Sequence, residues 1–430
     1  MSIPATLPPG QTLRANFRNL YYDVAWYGVL AGSTVAFLAV YAAHLGATSF
    51  EVGLLTAGPA AVNLLFSLPS GRWLEGKPLT RATFLSSVWS RLAYLALIPL
   101  PFLLGSVDEI RAIVALSILM SVPGTLLAIA FNAMFADVVP PDWRGFLVGR
   151  RNAILAISLT ATSLLCGWLL ETLRFPLNYQ VVFALGALGA AMSSFHLARL
   201  RSPGEPPPRV GRPMHEAARP GLLRFADAVR AGSGLRFLTR SGGGKLVRLD
   251  LLRGPFGPFL GAYLLFYTIQ FIPIPLFPLF IVRELHLSDG AISVGNALFY
   301  VAMTLASLGL GRMSARYGHR GVLVLSGLTY GLYPLLIGLA RDSSLYWIAS
   351  GVGGAVWGLL NGGLLNRLME RVPEGDRPAH MALHNLGLNL GILIGSLLGP
   401  ILAGGLGLKN TLLLAAGLRL LSGVLLVFLG

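Results

Sequence analysis

Twelve stretches of this 430-residue chain are long, apolar and almost free of charge. No other feature limits its fold as much. Ten contain no Asp, Glu, Lys or Arg: residues 24–43, 52–71, 112–136, 152–170, 175–195, 254–282, 290–311, 321–340, 343–366 and 385–408. Two more, 82–107 and 410–430, are each interrupted by a single arginine, Arg91 and Arg419. About 18 or more apolar residues are enough to cross a bilayer as a helix. Within lipid the backbone must satisfy its own hydrogen bonds, which leaves helices or closed barrels. Barrel strands are about ten residues long and alternate in polarity, and these runs do neither. The predicted fold class is an all-α membrane protein with twelve transmembrane helices. Charged residues make up only 12% of the chain, against about 25% in soluble domains.

The formal net charge is +15, a value that by itself would also suit a nucleic-acid binder. Its distribution excludes that partner. With the N-terminus inside and twelve alternating spans, five basic residues fall on the outer side: Arg111, Arg174, Arg283, Arg341 and Lys409. Of the rest, 26 fall inside, 12 of them between Arg199 and Arg253. Setting that long loop aside leaves 14 against 5, the positive-inside pattern. The expected location is the cytoplasmic (inner or plasma) membrane, with both termini cytoplasmic and an anionic inner leaflet alongside. The polar first twenty residues lack the short apolar core and cleavage site of a signal peptide, so the first span is expected to act as an uncleaved insertion signal. Cys166 is the only cysteine and can form no internal disulfide.

The chain repeats itself. Shifted by 240, Gly71-Arg72 falls on Gly311-Arg312; shifted by 233, VPPDWRGFLVGRRN (139–152) falls on VPEGDRPAHMALHN (372–385). The second alignment pairs Val139 with Val372, Pro140 with Pro373, Arg144 with Arg377 and Asn152 with Asn385. Two repeats at nearly one offset predict two homologous halves: a six-helix bundle over 1–200, a basic cytoplasmic linker over 201–257, and a second bundle over 258–430. The linker holds one basic amphipathic stretch, GLLRFADAVR (221–230), of the kind that lies on an anionic leaflet.

Six plus six helices, a basic central loop and GRMSARYGHR (311–320) after helix 8 together resemble the major facilitator superfamily. Gly311, Arg316, Gly318 and Arg320 match the family's glycine- and arginine-rich loop motif, while Ala315 stands where its acid would be. The copy after helix 2, GRWLEGKPLTR (71–81), keeps Gly71 and has its acid as Glu75. The resemblance implies a gate in which Glu75 docks on the start of helix 11, near Arg377, with Arg144 at hand. Arg312 belongs to the second copy. An antiporter signature is missing from helix 4, where residues 120–124 read MSVPG.

The resemblance also implies a solute site near the midplane lined by helices 1, 4, 7 and 10. The candidates there are Tyr27, Asn132, Tyr267, Gln270, Trp357 and Asn361. Arg91 joins them as an intramembrane charge, since a central arginine costs about 2.5–3.5 kcal/mol on insertion scales. Asp23, read as lying about one turn into helix 1 where the helix N-terminus favours a carboxylate and Arg91 can reach it, is the candidate coupling residue. For Arg91 and Arg419 the competing reading is snorkelling to the interface. No catalytic group, metal-ligand spacing or cofactor motif is evident, so no enzyme activity, metal or cofactor is expected. The reading is a secondary active transporter, expected to be monomeric, that moves a small amphiphilic or anionic organic solute by alternating access. Export is favoured over uptake, and a proton or another ion remains open as the coupling partner. The alternative is a non-transporting relative, such as an assembly factor for pigment complexes or a receptor.

Overall fold

The computed structural model describes residues 10–74, 77–202, 249–372 and 377–429. All regular structure among them is helical. The first half contains α1 (Gln11–His44), α2 (Ser49–Leu74), α3 (Leu79–Leu97), α4 (Ser106–Val138), α5 (Pro141–Thr172) and α6 (Leu177–Leu197). The second begins with α7 (Phe256–Arg283). The segment Asp289–Leu339 follows, divided at Gly318 into α8 (289–317) and α9 (319–339). Then come α10 (Ser343–Arg371), α11 (Arg377–Leu406) and α12 (Leu408–Leu429). Ten helical segments are long and apolar enough to cross a membrane. Dividing one at Gly318 and adding the more polar α3 gives the twelve read from sequence.

Local chemistry explains several helix starts. Thr48 and Glu51 form a reciprocal capping box before α2, with Thr48 N donating to Glu51 Oε2 (2.7 Å) and Glu51 N to Thr48 Oγ1 (3.2 Å). Ser288 Oγ accepts from Ala291 N ahead of α8, and Asp342 Oδ1 from Ser344 N and Leu345 N ahead of α10. Pro141 and Asp142 open α5, as proline and an acid suit a first turn.

Helices α1–α6 pack among themselves, as do α7–α12, and the halves meet mainly where α2 lies on α11 and α5 on α8. Small residues allow that approach. A Cβ on Gly53 of α2 would meet Ser396 O and Pro400 of α11 at 2.8 Å. Gly167 of α5 packs against Ser293 of α8. The end of the bundle away from Ser202 and Leu249 is called here the far end. One apolar cluster joins Phe37, Val40 and Tyr41 of α1 to Leu276, Phe277 and Phe280 of α7 and Ile292 of α8.

Several expectations need correction. Helix α1 begins at Gln11, so Asp23 lies three turns into it and the helix N-terminus does not stabilise its charge. GRMSARYGHR is not an open loop: residues 311–317 continue α8, and the chain turns at Gly318 alone. Helix α7 starts at Phe256, two residues before the expected boundary of the second half. Glu75 and the 221–230 stretch lie outside the described residues. Helix α11 begins at Arg377, beside Pro378 as expected.

Candidate functional site

Glycines bring the first site together. A Cβ on Gly28 would meet Ser158 of α5 at 2.6 Å, and one on Gly189 would meet Trp26 O of α1 at 2.8 Å. Helix α1 is therefore pressed between α5 and α6 at backbone distance. A π turn over Ala31–Val35 shifts its register midway, a local feature frequent at functional sites.

That packing buries Asp23, 3% exposed, between two donors. Arg151 Nη2 of α5 lies 3.0 Å from Asp23 Oδ2, and Ser193 Oγ of α6 donates to Oδ1 at 2.5 Å. The Arg151 guanidinium lies over the rings of Phe131 (4.7 Å) and Phe135 (5.6 Å) of α4. Arg91 takes a different set of partners. Its Nη1 donates to Ser194 Oγ (2.8 Å) and to Ala190 O (3.2 Å), both on α6. The expected direct Arg91–Asp23 contact is replaced by Arg151–Asp23, although Arg91 still feels the Asp23 charge. Arg91 is 9% exposed and tied to α6, so it does not snorkel.

Tyr27 is 43% exposed. Its ring lies on the surface of the first bundle. Asn132 of α4 and Asn361 of α10 are also exposed, and Trp357 is partly so. Tyr267 and Gln270 are not exposed. Both are buried inside the second bundle, where Tyr267 OH pairs with His384 Nε2 of α11 at 2.9 Å. Arg419 of α12 is 1% exposed and does not snorkel either. Its Nη2 donates to Gln270 O at 2.5 Å, and its guanidinium lies 4.1 Å from the Tyr330 ring centre. Tyr330 in turn stacks on Trp357.

The gating residues are partly accounted for. Gly71 lies in the last turn of α2 with open space beside it. Arg144 caps the end of α4, donating to Val139 O (3.0 Å) and Ala136 O (2.5 Å). Gly311, Arg312, Arg316, Gly318 and Arg320 are all exposed, and Arg316 rests over Tyr317. Glu370 of α10 accepts from Arg367 through Oε2 (2.9 Å), and its Oε1 is 3.9 Å from His319 Nε2. Arg377 is the first residue of α11.

Sequence reasoning missed Arg151, which lies one residue outside the uncharged run 152–170. The Pro-Pro-Asp start of α5 was the available signal, because it sets Arg151 about three turns inside a helix. Also missed were the polar contacts that join the halves at the far end. There Asp289 accepts from Tyr179 OH (2.8 Å) and lies 3.1 Å from His44 Nε2. Ser288 Oγ donates to Glu171 Oε1 (2.7 Å), and Arg283 Nη2 to Ala47 O (2.5 Å). Five hydrogen bonds join the halves at this end. A cavity of about 190 Å³ lies just beneath, between Thr56, Ile274, Asn296 and Tyr333. Among the described residues no group of His, Cys, Asp and Glu could hold a metal ion.

Two helical halves clasped at one end, with buried charge at mid-depth, make the architecture of a multi-pass membrane transporter. The chain belongs to the Major Facilitator Superfamily, whose family model matches residues 25–248 and 259–430. No curated protein matches it in sequence. Solved structures share its fold. The nucleoside transporter NupG superposes with a TM-score of 0.64 at 12% identity, covering 96% of this chain and 98% of that one. A D-xylose–proton symporter gives 0.66 at 13% identity, covering 96% of each chain. The xylose transporter XylE from E. coli, in a partially occluded inward-open conformation, gives 0.63 at 11% identity, covering 96% and 97%.

Proposed function

We propose that this protein is a secondary active transporter that moves a small organic solute across the cytoplasmic membrane by alternating access, and that the structure is its inward-facing state. The observation that carries this reading is the clasp at the far end, where hydrogen bonds and a continuous apolar cluster join the halves. The excess of basic residues at the opposite end makes that end cytoplasmic. Tyr27, Asn132, Asn361 and Trp357 line the solute path, and Arg91 contributes its charge. Because Arg91 is buried with a hydroxyl and a carbonyl, not a carboxylate, as its hydrogen-bond partners, the favoured solute is anionic or amphiphilic with an anionic group. Asp23 is the coupling candidate, because proton binding there releases Arg151. Solved structures that share the fold are named as transporters of nucleosides, sugars and peptides, which supports a small solute. Export is our preferred direction.

The test begins with thermal-shift screening of the purified protein against metabolite and drug libraries at two pH values. Hits are then assayed for flux in proteoliposomes. An anionic ligand that stabilises the wild type but not Arg91→Ala, and that is transported, supports the reading. Binding without flux under any gradient favours the non-transporting alternative.

A further inference from the structure

Helix α7 is broken at mid-depth. Its first part, Phe256–Phe271, ends before Ile272–Pro275, and its second, Leu276–Arg283, resumes beyond. Pro273 and Pro275 carry no N–H, so the carbonyls of Ile269 and Phe271 lose the donors four residues ahead. Ile274, which stands in that position for Gln270, lies in the turn between the two parts. Gln270 O accepts instead from Arg419 Nη2 of α12, at 2.5 Å.

Arg419 is unusual in other ways. It is 1% exposed at the middle of α12, and among the described residues no carboxylate pairs with it. Its Nε and Nη1 have no hydrogen-bond partner there, and the Tyr330 ring supports its face. A buried arginine without an acid is expensive, which argues against a space-filling role. A cation at the carbonyl end of a helix is favourable, and Gln270 is in the last turn of the first part of α7. On the other side, α11 clamps the same region through its glycines. A Cβ on Gly391 would meet Tyr267 at 2.7 Å, while Gly395 and Gly399 lie against Thr268 O and Ile272 O.

The second part of α7 is what shuts the far end. Phe277 and Phe280 pack on Phe37 and Tyr41, and Arg283 binds Ala47 O. We propose that Arg419 is a positioning residue of the transport cycle: it caps the carbonyl freed at the break in α7, fixes the angle of Leu276–Arg283, and so holds the far-end gate closed. This rests on reading the far end as a gate. The unpaired Nε and Nη1 give Arg419 spare donors for the neighbouring freed carbonyls when the break changes shape.

Two measurements test it. The first is a mutant cycle on thermal unfolding of the purified protein. Arg419→Met is made in the native background and in Pro273→Ala/Pro275→Ala, which restores two amide donors. The loss of melting temperature should be clearly smaller in the alanine background, and Arg419→Lys should lose less than Arg419→Met. Equal losses in both backgrounds, or no folded Arg419→Met protein even with the alanines, overturn the capping role. The second uses spin labels at Leu103→Cys and Arg341→Cys, exposed far-end sites in opposite halves, with Cys166→Ala. Arg419→Met should add a longer-distance population several-fold above wild type, and Arg419→Lys should stay near wild type. A folded Arg419→Met protein with an unchanged distance distribution overturns the gating role. Because melting requires no solute, a failure to find transport leaves the capping result standing.

Discussion

Asp23 and Arg151 stand 128 positions apart in sequence and 3.0 Å apart in space. Removing one member of a buried pair leaves an uncompensated charge and costs about 3–5 kcal/mol, whereas replacing both with neutral groups is close to neutral. Asp23→Asn and Arg151→Gln should therefore each lower the melting temperature strongly. The double variant should melt nearer to wild type than either single one. A double variant whose loss equals the sum of the singles would show the two groups to be uncoupled. Arg91 makes a different prediction, because Ser194 and Ala190, not Asp23, are its hydrogen-bond partners. Arg91→Lys keeps the charge and one bond and should retain partial flux; Arg91→Ala should abolish flux with expression near normal. An active, well-expressed alanine variant removes Arg91 from the site. Asp23 and Arg91 were legible because a charge within or beside an apolar run is conspicuous. Arg151 was not, because the apolar run begins just after it while the helix begins ten residues earlier.

At the scale of elements, two breaks set the geometry, and both have local chemical causes. Gly318 has φ +70° and ψ 165° with open space around it, a conformation that strains any residue with a Cβ by about 1–3 kcal/mol. Gly309, one helical stretch earlier, is also in open space but in regular helix. There alanine should stabilise by roughly 0.5–1 kcal/mol. Gly318→Ala should thus lower the unfolding temperature while Gly309→Ala leaves it level or raises it. The same sign for both would mean that the turn between α8 and α9 does not depend on glycine. The prolines of α7 marked its bend in the sequence. Arg419 stood out as a charge in an apolar run, but its place at that bend did not show, since α12 comes to lie beside α7 only when the second bundle closes.

For the whole molecule, the proposed exchange between two open forms turns on the polar contacts of the far end. Asp289 accepts from Tyr179 and pairs with His44 across the halves. A hydrogen bond is worth about 0.5–1.5 kcal/mol net, and each 1.4 kcal/mol is about tenfold in an equilibrium. Asp289→Ala should shift the population towards the far-end-open form by roughly tenfold. Val40→Cys, buried at 6% exposure under the clasp, reports this in a Cys166→Ala background through its labelling rate from outside. Glu75→Ala should act in the opposite sense if Glu75 closes the cytoplasmic end, and should slow the same labelling several-fold. Labelling that does not respond to Asp289→Ala would rule out the clasp as the gate. Unaltered labelling in Glu75→Ala would leave that residue a solvated loop charge.

The sequence by itself determined the class of fold. A bilayer demands long uncharged segments with internally satisfied backbones, so twelve spans, their division into halves and the family resemblance could all be read from runs, repeats and loop motifs. It also marked the glycine face of α11, because small residues four apart have one use in lipid. Only the tertiary structure decided who pairs with whom. Arg151 rather than Arg91 neutralises Asp23, Tyr267 and Gln270 turn into the second bundle, and the halves hold each other at one end. Those outcomes depend on helix rotation and on which far-apart segments become neighbours. Apolar runs facing lipid on one side and protein on the other carry little record of either, because both surroundings favour the same residues.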